Sequence, residues 1–174
     1  MRRLVISSSL FALAVTVVSA PVSAQFYVGG YATLPSGDYA DFAKTGWMAE
    51  AGYGFWKSSN DRLTLWVSGS YGSNSWDDDG LLDGGKTNIM MGLGSVTYNI
   101  TANPDTGPYL LGHIGYLNAK ASVDDLDTEG EGGVAFGGGL GYGMGKFWLE
   151  GRYITASLDG GTLAIIMIGA GISF

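Results

Sequence analysis

Side chains alternate with a period of two through most of this chain, and in one segment bulky residues oppose glycine. From 134 to 145, one face carries Val134, Phe136, Leu140 and Tyr142, while the other carries only alanine and glycine. A soluble sandwich would normally put polar residues opposite its apolar face, whereas a small closed barrel needs slim residues where its interior is crowded. This pattern therefore favours a barrel over a sandwich.

The same alternation predicts strands along the whole chain after residue 24. The predicted strands are 26–34, 45–55, 62–72, 86–100, 108–118, 132–145, 147–158 and 162–174. Short connections at 56–61, 101–107 and 145–146 alternate with long ones at 35–44, 73–85 and 119–131. An even number of strands, short periplasmic turns and longer outer loops are typical of outer-membrane barrels. We therefore predict an all-β fold, an eight-stranded antiparallel up-and-down transmembrane β-barrel, over residues 25–174.

The first 24 residues have the composition of a secretion signal. Arg2 and Arg3 precede a short apolar region, and Val22 to Ala24 fits a small-residue cleavage site. A membrane anchor is the alternative, but the apolar region is short and contains Ser7 to Ser9. We expect residues 1–24 to be a cleaved signal peptide.

Composition excludes some partners and leaves a surplus of glycine to explain. Glycine accounts for 30 of the 174 residues, cysteine is absent, and the net charge is −7. An acidic chain without a basic patch argues against a nucleic-acid partner. Without disulfides, an exported chain of this size must be stabilised by burial or by embedding in lipid.

Acidic residues concentrate in the predicted external loops. Asp125 to Gly130 resembles the start of a calcium loop, but the twelfth position is Phe136 rather than the usual Glu. We predict solvated acidic loops and no cofactor or metal site, and leave open whether divalent cations at these loops or at 76–79 bridge to lipopolysaccharide phosphates. The acids in the loops are Asp38, Asp41, Asp77, Asp78, Asp79, Asp83, Asp124, Asp125, Asp127, Glu129, Glu131 and Asp159.

A few charged residues fall inside predicted strands. If the apolar neighbours face lipid, strand parity turns Glu50, Arg62, Glu150 and Arg152 toward the lumen. Charge on the lipid face would cost about 2–4 kcal/mol near the midplane for Arg, whereas charges inside a barrel can pair. We predict a structural salt-bridge network that fills the lumen; a gate for ions is the alternative.

His113 is the single histidine and the obvious acid–base candidate at neutral pH. Parity turns it inward, and the residue two positions along is Gly115 rather than a serine. We therefore predict a lumen histidine with no catalytic role, and no catalytic residue elsewhere.

Several segments resemble the small outer-membrane β-barrel proteins of Gram-negative bacteria, the OmpX, OmpA-barrel and opacity-type group. They are P-Y-L-L-G-H-I-G-Y from Pro108, F-G-G-G-L-G-Y-G from Phe136, F-W-L-E-G-R-Y from Phe147, and the terminal I-S-F. The resemblance implies an eight-stranded barrel in the outer membrane, in contact with its lipids and lipopolysaccharide.

The same resemblance implies insertion by the outer-membrane assembly machinery through the last strand. Gly169, Ile172 and Phe174 match the group's terminal signal, whereas Met167 occupies a usually polar position. We expect a monomer whose surface partner the sequence does not name.

Three functions remain open at this point. The first is a non-enzymatic, pore-free barrel with an envelope-structural or surface-interaction role. The others are a barrel enzyme that modifies lipid A, and a soluble periplasmic lipocalin-like binding barrel. The soluble barrel is disfavoured because it would expose the apolar face of 134–142 to water.

Overall fold

A computed structural model of the chain describes residues 25–76, 85–101, 103, 105–123, 126–127, 129–159 and 161–174. The predicted signal peptide at 1–24 lies outside the described residues, so its cleavage stays a prediction. The strand alternation expected from the sequence dominates the described ranges.

Eight long strands form in the described part of the chain. They are β1 (Gln25–Ser36), β2 (Ala43–Lys57), β3 (Leu63–Trp76), β4 (Lys86–Asn99), β5 (Thr106–Val123), β6 (Glu131–Met144), β7 (Phe147–Leu158) and β8 (Gly161–Ser173). A two-residue strand, Leu126–Asp127, pairs back onto the end of β5. A 3-10 helix, Gly37–Asp41, follows β1. Within the described residues, no helix is long and apolar enough to span a bilayer.

The strands close into a barrel. Each pairs antiparallel with the strand that follows it, and β1 also pairs with β8, from Tyr27 opposite Ser173 to Ser36 opposite Ala164. Closure pairs both edges of the sheet, as a strand structure in lipid requires. The predicted up-and-down barrel is confirmed.

Two strands extend further toward the long loops than the sequence pattern predicts. β3 continues to Trp76 rather than 72, and β5 to Val123 rather than 118. Both extensions have ladder partners on β4, where Ser75 lies opposite Lys86 and Ala121 opposite Thr87. The barrel wall therefore includes residues expected in loops.

The tightest connection joins β6 to β7 through Gly145 and Lys146. Gly145 has φ 74°, a conformation that glycine adopts without steric penalty. This turn, the segment 58–62 and residues 100, 101, 103 and 105 lie at one end of the barrel, which we call the turn side; the opposite end is the loop side.

The lumen differs between these two ends. Its loop-side half is mainly apolar and includes a buried polar pair, in which the Thr33 hydroxyl donates to Asn74 Oδ1 at 3.2 Å. Its turn-side half is lined by Thr64, His113 and the aromatic rings of Tyr27, Trp66 and Trp148. The apolar half contains Met48, Ile89, Leu117, Ile154, Ile165 and Met167, each no more than 1% exposed. Arg152 lies opposite Met167 in the β7–β8 ladder, where the two halves meet.

Candidate functional site: a charge cluster across the lumen

A buried arginine joins two buried carboxylates inside the barrel. The Arg152 Nη2 atom lies 2.8 Å from Glu50 Oε1 and 2.7 Å from Glu150 Oε1, and Nη1 donates to Glu50 Oε2 at 3.2 Å. The side chains of Arg152, Glu50 and Glu150 are 2%, 0% and 7% exposed. We call these three residues the charge cluster.

Tyrosine hydroxyls donate further hydrogen bonds to both carboxylates. Tyr27 donates to Glu50 Oε1 at 2.6 Å, and Tyr31 and Tyr109 donate to the two oxygens of Glu150 at 2.8 and 3.1 Å. Arg152 Nη2 also donates to the Tyr31 hydroxyl, and the guanidinium carbon lies 4.4 Å from the centre of the Tyr31 ring. The cluster is a continuous network of donors and acceptors from β1, β2, β5 and β7.

Glycines provide the space for these large groups. A Cβ atom on Gly141 would collide with the Tyr109 ring, one on Gly169 with Tyr31, and one on Gly139 with Arg152. In each pair the glycine lies on the neighbouring strand, directly opposite the large residue. The glycines expected to face inward therefore do not leave the lumen empty, because aromatic and charged side chains occupy the space.

Burial makes the cluster costly to disturb. Two carboxylates and one guanidinium are removed from water, and their mutual attraction and hydrogen bonds offset the loss of hydration. Removing one partner of such a pair typically costs about 3–5 kcal/mol, because the remaining charge stays buried without its partner. The arrangement is suited to holding strands together and to blocking the lumen.

The structure does not bring Arg62 into this cluster. Arg62 lies in the turn just before β3, where its backbone N–H donates to Asn60 Oδ1 at 3.2 Å and its Nη1 to the Tyr98 hydroxyl at 3.3 Å. The parity rule applies only inside a strand, and β3 begins one residue later. Arg62 therefore makes its hydrogen bonds on the outside of the barrel, at the turn side.

The tyrosines are the part of the cluster that sequence reasoning missed. Tyr27 and Tyr31 share the inward parity of β1, and Tyr109 shares the inward face of β5 with His113. The signal that could have found these tyrosines is an inward tyrosine beside an inward glycine on a neighbouring strand. Recognising such a pair requires the register between the two strands.

His113 faces inward, as the parity indicates, and is 7% exposed. Its Nδ1 lies 2.7 Å from the hydroxyl of Ser95, the residue directly opposite on β4. The Nε2 atom is buried, and no protein group in the described ranges hydrogen-bonds to it. A serine is therefore close to His113, but it comes from the neighbouring strand β4 rather than from the positions next to His113 in sequence. The imidazole points away from membrane lipid, so this pair does not support a lipid-modifying role.

The terminal strand contributes to both faces. Gly169 faces the lumen against Tyr31, and Phe174 is 67% exposed, with its N–H donating to the Phe26 carbonyl at 2.8 Å. Met167, which occupies a usually polar position, is fully buried in the apolar loop-side half. Met167 lies opposite Thr33 in the β1–β8 ladder and opposite Arg152 in the β7–β8 ladder, so its side chain packs where the mainly apolar half meets the charge cluster.

The described ranges contain no candidate metal site. No group of three or more His, Asp or Glu side chains lies close enough there to hold a metal ion. The calcium-like pattern at 125–130 and the segment 76–79 fall largely outside the described residues, so divalent binding at those loops stays untested.

The outer surface of the barrel is apolar. Leu140 is 66% exposed, Ile114 65% and Phe136 57%, and aromatic residues such as Trp47 and Tyr142 accompany them. Monomeric soluble proteins rarely expose apolar patches this extensive, whereas lipid accommodates them. A closed antiparallel barrel with an apolar exterior and a polar cluster inside defines the class of outer-membrane β-barrels.

Comparison with known proteins gives the family. The model of the outer membrane protein beta-barrel domain matches residues 9–174, and the chain belongs to this family. It is therefore a protein of the Gram-negative outer membrane, and the soluble periplasmic alternative is wrong. No curated protein matches the chain.

Solved structures with similar folds are also outer-membrane barrels. The attachment invasion locus protein Ail of Yersinia pestis is 19% identical, with a TM-score of 0.61, covering 87% of this chain and 97% of that one. Neisserial surface protein A is 12% identical, with a TM-score of 0.58 and coverages of 86% and 95%. The N-terminal barrel domain of Pseudomonas aeruginosa OprF is 15% identical, with a TM-score of 0.52 and coverages of 86% and 97%. At these identities the likeness concerns the fold.

Proposed function

We propose that this protein is a non-enzymatic, pore-free outer-membrane barrel that stabilises the envelope and presents its loop side for interactions at the cell surface. The observation that carries the proposal is the charge cluster, in which Arg152 is bound by both Glu50 and Glu150 across the lumen. An eight-stranded barrel is just wide enough for side chains to fill it. The cluster therefore acts as a plug rather than as an ion path.

The apolar loop-side half supports the plug. Ile89, Leu117 and Ile165 are fully buried above the cluster. An ion that passed the cluster would still have to cross this mainly apolar layer, and desolvating an ion costs several kcal/mol even after relaxation. Opening a conducting path would require repacking the core as well as breaking the salt bridges.

Conductance and stability together test the plug. The refolded protein is inserted into planar bilayers, and its thermal unfolding is followed by the shift in gel mobility on heating. We expect no steady conductance from the native protein and a lower unfolding temperature for Arg152→Ala. The outward neighbour Tyr153→Ala is the control, and we expect it to change the unfolding temperature less. An unchanged unfolding temperature in Arg152→Ala, together with altered conductance, would identify a gate instead.

The surface role draws on the charge of the loop side. Asp38, Asp41, Glu129, Glu131 and Asp159 are exposed there. The Yersinia pestis protein Ail has been solved with sucrose octasulfate, a heparin analogue. A polyanion of that kind is a poor match for this chain, whose net charge is −7, because like charges repel at close range.

Divalent cations that bridge these acids to lipopolysaccharide phosphates are the partner chemistry that fits best. Calorimetry of the refolded protein with Ca²⁺, alone and with lipopolysaccharide, tests this. Heat of binding that disappears on replacing Glu129 and Glu131 by Gln supports the bridge. If calorimetry detects no heat of Ca²⁺ binding at millimolar concentration, the cation bridge is ruled out.

The proposal extends to insertion and oligomeric state. The match of Gly169, Ile172 and Phe174 to the terminal signal supports insertion through the last strand, and the pairing of β1 with β8 supports a monomer. Replacing Phe174 by Ser is expected to reduce the amount of protein in the outer membrane, measured by fractionation. Equal amounts of the variant and native proteins would contradict the signal.

A further inference from the structure

The turn-side half of the lumen contains a cavity of about 400 Å³ that the proposed plug does not use. Lys57, Asp105 and Lys146 lie at its mouth near the short turns, and Glu150 and Arg152 line its inner end. Small-molecule sites commonly have volumes of roughly 300–1,000 Å³. The cavity is large enough for a small ligand and faces the periplasmic side of the barrel.

One wall of the cavity is aromatic. Tyr27 lies between Trp66 and Trp148, with ring centres 5.4 and 5.9 Å away. Glycines let these rings lie close to the barrel wall, since a Cβ atom on Gly54 would come within 2.9 Å of the Trp66 ring. The aromatic surfaces thus line the space instead of filling it.

The other wall is lined by neutral polar groups. Thr64, Ser95, Thr97 and Asn99 come from the adjacent strands β3 and β4. A hydroxyl group can both donate and accept a hydrogen bond, and an amide side chain has one group of each kind. This wall is suited to a ligand that also carries both donors and acceptors.

His113 adds a buried polar atom without a partner. The residue lines the cavity and is 7% exposed, and its Nδ1 is occupied by Ser95 at 2.7 Å. No protein group in the described part of the chain hydrogen-bonds to Nε2. A ligand hydroxyl could pair with Nε2 in either tautomer, because a hydroxyl donates and accepts.

Most charges around the cavity are already paired. Lys57 lies 3.6 Å from Asp61, and Arg152 is bound by Glu50 and Glu150, which leaves Lys146 and Asp105 as one charge of each sign at the mouth. The two inner carboxylates already bind Arg152, so they are not available to select an organic cation. A neutral ligand suits this balance better than an ion.

We propose that the turn-side cavity binds a small neutral sugar, a monosaccharide or disaccharide, that enters from the periplasm. The C–H face of the sugar ring packs on the aromatic wall formed by Trp66, Tyr27 and Trp148, and its hydroxyls bond to Ser95, Thr97 and His113. The site borders the plug, but the groups that bond to the sugar are not part of the charge cluster, so absence of sugar binding leaves the plug proposal intact.

The test follows the indole N–H signals of the refolded full-length barrel by NMR in a zwitterionic detergent without a sugar head group. The probes are glucose, N-acetylglucosamine and maltose, with glycerol, tetramethylammonium and inorganic phosphate as controls. We expect saturable shifts of the Trp66 and Trp148 signals with at least one sugar and none with the controls. No saturable shift with any sugar, or saturation by an ion instead, would overturn the proposal.

A matched pair of variants locates the site. Thr97→Trp fills the cavity, while Tyr98→Trp places the same side chain on the outer face of the same strand. We expect sugar binding to be lost in the first and kept in the second, with both proteins showing the heat-dependent mobility of a folded barrel. If Thr97→Trp does not fold, Trp66→Leu is used instead, and we expect at least tenfold weaker binding. Unchanged affinity in the cavity variant that folds would place the sugar elsewhere and contradict the proposal.

Discussion

The two halves of one lumen are stabilised by different physics. On the loop side, Ile89, Ile154 and Met167 pack in a mainly apolar core, and their burial is worth roughly 1.5–3 kcal/mol for each large apolar side chain. On the turn side, the charge cluster and its tyrosines fill the lumen and leave a cavity beside them. The comparison shows that a barrel too narrow for a channel can be closed by apolar packing at one level and by a polar network at the next.

The largest effect should come from the polar half. Arg152→Ala leaves two buried carboxylates without their cation, and we expect a loss of about 3–5 kcal/mol of unfolding free energy. Urea unfolding and refolding in lipid vesicles measures it. The triple variant Glu50→Gln, Glu150→Gln and Arg152→Met removes all three charges and should lose less than the single variant. A larger loss in the triple variant would mean that the salt bridges themselves carry the stability.

The next effect probes the apolar half. Ile154→Ala removes a fully buried side chain from the lumen, and we expect a loss of about 2–5 kcal/mol. Ile114→Ala, at a site 65% exposed on the lipid face, is the control. Lipid chains can fill the space that the control leaves, so it should lose less. Equal losses measured by the same urea titration would contradict a close-packed loop-side core.

A smaller effect is expected where glycine makes room for the tyrosines. Gly141→Ala would force the Tyr109 ring away from Glu150, and overpacking of this kind costs about 1–3 kcal/mol. Gly151→Ala on the next strand adds the same methyl group where no atom lies within 4 Å. We expect the unfolding free energy of that control to change little. If both substitutions behave alike, the inward glycines are not needed for space.

The smallest effect should come from the exposed ion pair. Lys57 Nζ lies 3.6 Å from Asp61 Oδ1, with side chains 25% and 55% exposed. Asp61→Asn keeps a residue that tolerates the positive φ of 57°, and we expect a loss of no more than about 0.2–1 kcal/mol that falls with added salt. A loss of unfolding free energy close to that of Arg152→Ala would contradict the difference that we expect between surface charges and lumen charges.

Most of the fold was predictable because the side of the sheet to which a side chain points is set locally within its strand. Successive Cβ atoms point to opposite sides, so the inward orientation of Glu50, His113, Glu150 and Arg152 could be read from their neighbours. The same rule misled at Arg62, where the strand had not begun. Strand ends also escaped prediction, since β3 and β5 continue wherever β4 offers ladder partners.

It was harder to predict which residues make up the charge cluster and its hydrogen-bond network. Tyr27 and Glu50 are 23 residues apart, and Glu50 and Arg152 are 102 apart. Which inward side chains meet depends on the register of every intervening strand pair and on the curvature of the closed wall. No single strand carries that information.

The alternation of bulky residues with glycine is enough to predict a membrane barrel, because it suits a closed sheet with lipid outside and a crowded interior. Strand parity also predicts which charged residues of the strand interiors turn inward. The closed structure is needed to see that one arginine binds two glutamates, that tyrosines complete the network, and that a cavity remains beside Trp66 and His113. The direction of a side chain is set by the local backbone, whereas contact across the lumen is set by closure and register.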